Sequence, residues 1–517
     1  MELLKKNIHM EHHLNLASTQ ISLEEDQNIS DQKPDAFQII CKKADVKTEE
    51  VKTQEDVVHI KGKLLYDVLY LTDEKEKRLC SLEGEIPFEE KIYTSQSVTN
   101  ENVRLTTRVE DLMIRLINSR KLNIRCIIAV SVTQDELYDE EVVVDVDEPD
   151  SCEILKKPLD ITTIVLDTKD IYRIKEEIPL PDGMPNIYNI LWKNIRVDGL
   201  NFIPMDGRIG IQGEWTAFFL YEGEEEETLP RYFEVVRPFS GIIEVPDCRE
   251  NMILCVESES ELPQIEVRSD YDGEERLIGM DMELKLYIKL YQNTVMSIVA
   301  DAYGLNEPLE PIMKESTCEH MLKKESGKIK LNDTWENREN PQENLQVLHV
   351  DGSIVDEKIM TKEDEVLLSG VVHMELLCST GDETMPYRCV YIDMPYQQTV
   401  NVMGAKDDCP YFGKVYIEQL MANVQGDRVE ARAILCYQIN VYQKIMKPLL
   451  AGMGKVMEDN AENSLPVMSV YFAKEKESIW EVGKKYRVSL NGIRSVNQLN
   501  TDDLNDGQKI LIVKEVK

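Results

Sequence analysis

Apolar and polar side chains alternate with a period of two over residues 122–132, 282–291 and 429–442. That period puts one face of a strand in a core and the other in water. Three further runs, residues 63–70, 214–221 and 371–378, are rich in apolar and aromatic side chains and contain no proline. They also predict strands. A polar, acidic stretch follows each run at a common offset: Asp73-Glu74, residues 224–227, and Gly381-Asp382-Glu383. Such a tip between two apolar runs predicts a hairpin.

The runs belong to an internal repeat. Gly62, Gly213 and Gly370 each precede a proline–aromatic pair by 25 residues: Pro87-Phe88, Pro238-Phe239 and Pro395-Tyr396. A proline lead-in stands 28, 28 and 29 residues before the glycine, at Pro34, Pro185 and Pro341. An apolar pair follows each lead-in: Ile39-Ile40, Ile190-Leu191 and Val347-Leu348. The pattern predicts a mainly β chain with three tandem β-sandwich-like domains over residues 1–160, 161–304 and 305–445. Residues 133–184 and 304–341 read as separators of the cores. Residues 446–467, polar and closed by Pro466, read as a linker.

Residues 468–517 do not repeat. They predict a small α+β module in the order strand, helix, helix, strand (βααβ). Ser478 and Glu481 fit a capping box, with Ile479, Val482 and Tyr486 at helical spacing. Ser489 is placed to cap a second helix bearing Leu490, Ile493 and Val496. Gly507-Gln508 turns the chain into a last strand over 509–513. So small a domain commits most of its apolar residues to folding, and Trp480 and Tyr486 are expected in its core.

Charge changes the picture more than composition does. The chain of 517 residues has a formal net charge of −37. Residues 469–517 hold nine basic and seven acidic side chains, a net of +2, which leaves −39 on the rest. That acidity argues against nucleic-acid binding by phosphate neutralisation and against docking on anionic lipid. It favours a basic protein partner. No stretch has the length of a membrane span and the N-terminus lacks an apolar signal core, so a cytosolic protein is expected. The eleven cysteines form no Cys-x-x-Cys pair and read as reduced, buried thiols.

No catalytic, metal or cofactor constellation emerges. His12-His13 reads as part of a solvated terminal tail. Asp270-Tyr-Asp-Gly273 lacks the spacing of a calcium loop and reads as a turn. The acidic residues 224–227 read as a hairpin tip. The expectation is a non-enzymatic scaffold without metal or cofactor.

The tail resembles the LysM domain through Tyr471, Ser478-Ile-Trp480, Val482, Lys485-Tyr486, Val488-Ser-Leu490, Asn497, Leu499-Asn500, Leu504 and Gly507-Gln-Lys-Ile510. LysM domains commonly bind N-acetylglucosamine glycans between two loops. Carried over, the resemblance implies a partner- or glycan-binding groove of Lys476, Glu477, Ser478, Ile479, Asn497, Leu499 and Leu504. Lys476-Glu477-Ser478 stands where Gly-Asp-Thr is usual, which removes a freely turning glycine where a sugar approaches. The whole architecture resembles SipL and related spore-coat morphogenetic proteins, with three SPOCS domains and a terminal LysM domain. Residues 175–187 are the strongest local match. The resemblance implies work in the mother-cell cytoplasm at the forespore surface. There the protein would tether the coat by binding its basement-layer ATPase (SpoIVA-like), mainly through the LysM domain, alongside other coat proteins. The alternative is a LysM-mediated binder of peptidoglycan or chitin-type glycans in the wall or cortex.

Overall fold

The computed structural model describes residues 2–98, 103–147, 151–224, 229–305, 307–338, 343–407, 409–455 and 468–513. The first unit has strands β1 (Leu3–Asn28), β2 (Ala36–Gln54), β3 (Val57–Thr72), β4 (Leu79–Tyr93), β5 (Val103–Asn118) and β6 (Lys121–Val146). They form two antiparallel sheets, β2-β3-β4 and β1-β6-β5. The second unit has β7 (Cys152–Pro179), β8 (Ile187–Met205), β9 (Arg208–Gly223), β10 (Arg231–Glu244), β11 (Ile253–Ser260), β12 (Gln264–Ser269) and β13 (Glu275–Gly304). Its sheets are β8-β9-β10 and β13 flanked by β7, β11 and β12. The third has β14 (Leu309–Glu336), β15 (Gln346–Lys362), β16 (Glu365–Ser379), β17 (Tyr387–Asn401), β18 (Tyr411–Gln425) and β19 (Arg428–Lys455), in sheets β15-β16-β17 and β14-β19-β18.

In each unit the two sheets enclose one core. Leu64 and Val68 of β3, Ile86 of β4 and Ile124 and Ile128 of β6 share the first. The burial of every second position over residues 121–134 of β6 is the period read from the sequence. Each such aliphatic side chain contributes about 1.5–3 kcal/mol by leaving water.

The glycine-to-proline interval is a cross-strand contact. Gly62 pairs with Phe88, Gly213 with Phe239 and Gly370 with Tyr396. The aromatic ring lies over the bare glycine, so a Cβ at Gly62 would stand 2.9 Å from the Phe88 ring and 2.7 Å from the Lys47 carbonyl oxygen. The preceding proline sits on β4, β10 or β17, each an edge strand of its sheet, where a missing N–H is tolerated. The proline lead-in has its own contact. Tyr70 Oη donates to the Pro34 carbonyl at 3.1 Å and Tyr221 Oη to that of Pro185 at 3.0 Å. Copy three has Cys378 at this place, and its Pro341 lies outside the described residues, as do residues 225–228 of the acidic tip in copy two.

The structure corrects the segments expected to be separators. Residue 160 falls inside β7, which pairs with β13 along its whole length, so β7 belongs to the second unit's sheet. Residues 309–336 are β14, paired with β19. Residue 445 lies within β19, which runs to Lys455; of the expected linker, residues 456–467 lie outside the described residues. The N-terminal stretch expected as a solvated tail is β1, an edge strand of the β1-β6-β5 sheet. Register shifts break these ribbons at Leu4/Lys5, Val299/Asp301 and Ile312/Met313, and bulges of this kind interrupt a period of two.

The three units close on one another through shared buried clusters. Ile40, Leu69 and Leu71 of the first, Leu191, Phe218 and Leu220 of the second, and Leu377 and Tyr387 of the third form one buried hub. The long ribbons meet in a second contact. Val142, Ile298 and Leu449 pack together, and their neighbours Val143, Val299 and Leu450 form the next layer. A polar layer lies where the ribbons of the first and second units meet. Lys289 pairs with Glu11 and, at 2.5 Å, with Asp135, while Tyr291 Oη donates to Glu11 at 2.6 Å. Burial alone would lower the pKa of Lys289, but Glu11 and Asp135 outweigh it and hold the ammonium above its ordinary value. Asp167 brings a third carboxylate to Glu11 and Asp135; burial raises its pKa, and the Lys289 ammonium opposes that rise. Among the described residues no helix is long and apolar enough to cross a membrane.

One ion-pair cluster in the third unit carries a pH signature. His373 lies 3.6 Å from Glu375 and 2.6 Å from Asp393. Glu375 first, then Asp393, push its pKa up to about 9 from an ordinary 6.5. A raised folded-state pKa gives stability that is complete below pH 6.5 and lost as pH rises through about 9. Thermal melts between those pH values should therefore show falling stability, and His373→Gln should flatten that part of the slope; an unchanged slope would contradict the pairing.

Candidate functional site

The C-terminal module comprises β20 (Met468–Phe472), α1 (Ile479–Tyr486), α2 (Leu490–Asn497) and β21 (Lys509–Val513), with β20 and β21 antiparallel. Ser478 caps α1 in a full capping box with Glu481, and Ser489 caps α2 by accepting from the Gly492 N–H at 3.0 Å. Arg487 and Gln498 end the helices in the left-handed conformation. Ala473, Ile479, Val482, Val488, Ile493, Leu504, Ile510 and Ile512 make the core.

The structure places each expected groove residue. The two loops do lie side by side: Ser478 bridges Asp503, the Ile479 N–H donates to the Asp502 carbonyl at 2.8 Å, and the Leu504 N–H donates to the Glu477 carbonyl at 3.0 Å. Most side chains in them are committed to folding. Ile479 and Leu504 are buried in the core, and Leu499 packs against it. Asn497 clamps α2 to β21: its Nδ2 donates to the Ile493 and Leu511 carbonyls, and its Oδ1 accepts from the Leu511 N–H at 2.6 Å. Glu477 accepts from Tyr471 Oη at 2.9 Å and from the Lys474 N–H at 2.8 Å, which steadies the loop. Lys476 is exposed, with a positive φ of 62°.

Trp480 departs from expectation. It is buried, yet it lies outside the module's core and faces the second unit. Its indole Nε1 donates to Asp301 Oδ2 at 2.9 Å and its ring meets Tyr303 edge-on at 5.0 Å. Lys484 pairs with the same Asp301 at 2.7 Å. Tyr303 Oη donates to the Val488 carbonyl at 2.9 Å, and the Leu490 N–H donates to Glu153 at 2.9 Å. Gly483 allows this approach, since a Cβ there would stand 2.5 Å from the Tyr303 hydroxyl. Burial, with Glu153 and Asp301 nearby, pushes the Tyr303 phenol well above its ordinary pKa, so it remains a donor. The positions corresponding to Asp301 and Tyr303, counted from the layer of Val143, Val299 and Leu450, are Asp145 and Asp147 in the first unit and Gly452 and Gly454 in the third. Neither offers the same seat, which explains why the module sits on the second unit.

The module's free face points away from the helices. Met468, Val470 and Phe472 alternate along β20 and are 60%, 58% and 57% exposed, opposite Val513, Leu511 and Lys509. They form an exposed apolar row on a small sheet.

The family model described as SipL, SPOCS domain, matches residues 35–117, 186–267 and 345–425. This is a SipL-like protein with three SPOCS domains. No curated protein and no solved structure matches the chain. Each SPOCS match spans β2–β5, β8–β12 or β15–β18 and leaves out the two long strands on either side. In SipL-like form those strands supply the β1-β6, β7-β13 and β14-β19 ribbons that hold the three domains together. The family places the protein in the context of sporulation and the spore coat.

Proposed function

We propose that this protein is a non-enzymatic scaffold of the spore coat that tethers the coat to the forespore surface by binding the coat's basement-layer ATPase, SpoIVA-like, with the 468–513 module as the main contact. It works in the mother-cell cytoplasm at the outer face of the forespore. The observation that carries the reading is a LysM-like module seated on one SPOCS domain with an apolar strand face left open. The SPOCS match supports the coat context. The expected sugar groove has Ile479, Leu499 and Leu504 turned into the core and Asn497 used as a clamp, which favours a protein partner over a glycan.

Co-purification with the tagged ATPase tests this. The full chain should be retained, while residues 1–467 and the Phe472→Glu chain should lose at least about tenfold in affinity, a loss of about 1.4 kcal/mol or more. Undiminished retention of residues 1–467 would overturn the assignment of the contact to the module.

A further inference from the structure

The three domains close into a ring in which the second strand of each meets the fourth strand of the one before it. Lys193 of β8 pairs with Glu83 of β4 at 3.0 Å, and Gln346 of β15 donates to Tyr232 of β10 at 3.0 Å. The ring closes where β2 of the first domain meets β17 of the third. Two cysteines meet the hub there. Cys41 is buried in it and Cys389 packs against it from β17. With the offsets of 151 and 157 residues that relate the three glycines, the matching pairs at the other two contacts are Trp192 with Ser81 and His349 with Tyr232. The contact between first and last domains alone carries two cysteines.

We propose that Cys41 and Cys389 are an oxidation site, at which a disulfide staples the first SPOCS domain to the third and locks the ring. The sheet geometry selects this pair over the neighbouring thiol. Cys389 lies opposite Leu377, and both face the hub. Cys378, next in sequence to Leu377, points to the other face of the sheet and is buried in the third domain's own core. Cys389 is partly exposed and Cys41 is buried, so a small oxidant reaches Cys389 first. The Cys389 thiol, burial and Glu375 all raise the Cys41 pKa, which keeps that thiol protonated and the pair reduced until an oxidant arrives.

The chemistry needs a two-electron oxidant, such as a peroxide, a low-molecular-weight disulfide or a diazene. With a diazene, the Cys389 thiolate adds to the N=N bond. Cys41 sulfur then attacks the Cys389 sulfur, forming S–S and releasing the hydrazine, which carries both thiol protons and both electrons. The resulting loop spans residues 41–389, and so long a loop restricts the unfolded chain strongly in the chain-entropy account.

The test is to treat the full-length protein with the diazene diamide, unfold it, block remaining thiols with N-ethylmaleimide and map peptides without reduction by mass spectrometry. A Cys41–Cys389 linked peptide is expected, absent from Cys41→Ser and from Cys389→Ser, together with an unfolding temperature raised by oxidation and restored by dithiothreitol in wild type alone. N-ethylmaleimide on both Cys41 and Cys389 after oxidation, or a Cys378–Cys389 link in their place, would overturn the proposal. The wild-type map decides it even where a variant folds poorly.

Discussion

Replacing Phe218 by aspartate should break the ring of domains while leaving their individual cores assembled. Phe218 is fully buried in the hub shared by all three domains, stacked on His349 of the third at a ring distance of 4.0 Å. Its neighbours in sequence, Ala217 and Phe219, face the second domain's own core instead. Losing a buried phenylalanine costs about 3–5 kcal/mol, and an unpaired carboxylate in the same place adds a desolvation penalty. In calorimetry the wild-type SPOCS body should unfold in one dominant transition. The Phe218→Asp chain should show separate, lower transitions, because the contacts that couple the domains are gone. Phe219→Ala should instead destabilise the second domain first. A single unshifted transition in Phe218→Asp would show that the hub does not hold the domains together.

The run around Phe218 was a signal in plain view. Residues 215–221 are all buried, because β9 has a core on one face and the hub on the other. Continuous apolar runs mark strands covered on both sides, and this one differed from the alternating runs at 122–132 for that reason. The cross-strand pairs of Gly62 with Phe88 and of its two copies were legible because both partners lie within one hairpin. The capping box at Ser478 was legible for the same local reason. The outer ribbons were not. Glu11, Lys289 and Tyr291 look like surface residues in the sequence, and only their meeting between the first and second units makes them interior. Bulges shift the burial pattern along the same strands, so β7 and β14 read as separators.

The site was legible in part. The fold of the module follows from its caps and apolar spacing, but a fold match assigns binding to loop positions without knowing which of them the core requires. Asn497, Leu499 and Leu504 are such positions. Trp480 was placed in the core because a small domain commits its large apolar residues to packing. Its partners Asp301 and Tyr303 lie some 180 residues earlier, and no local pattern connects them.

The second large effect is in the cell. The module is reached from β19 through residues 456–467 and contributes no strand to the SPOCS sheets, so a chain ending at residue 467 keeps the complete three-domain body. What it loses is the seat of Trp480 on Asp301 and the open face of β20. The most direct measurement is the position of a fluorescent fusion in sporulating cells, for the full chain and for residues 1–467 at matched protein levels. Full-length protein should ring the forespore and the shortened chain should spread through the mother cell. A shortened chain that still rings the forespore would contradict the account, because attachment would then belong to the SPOCS domains.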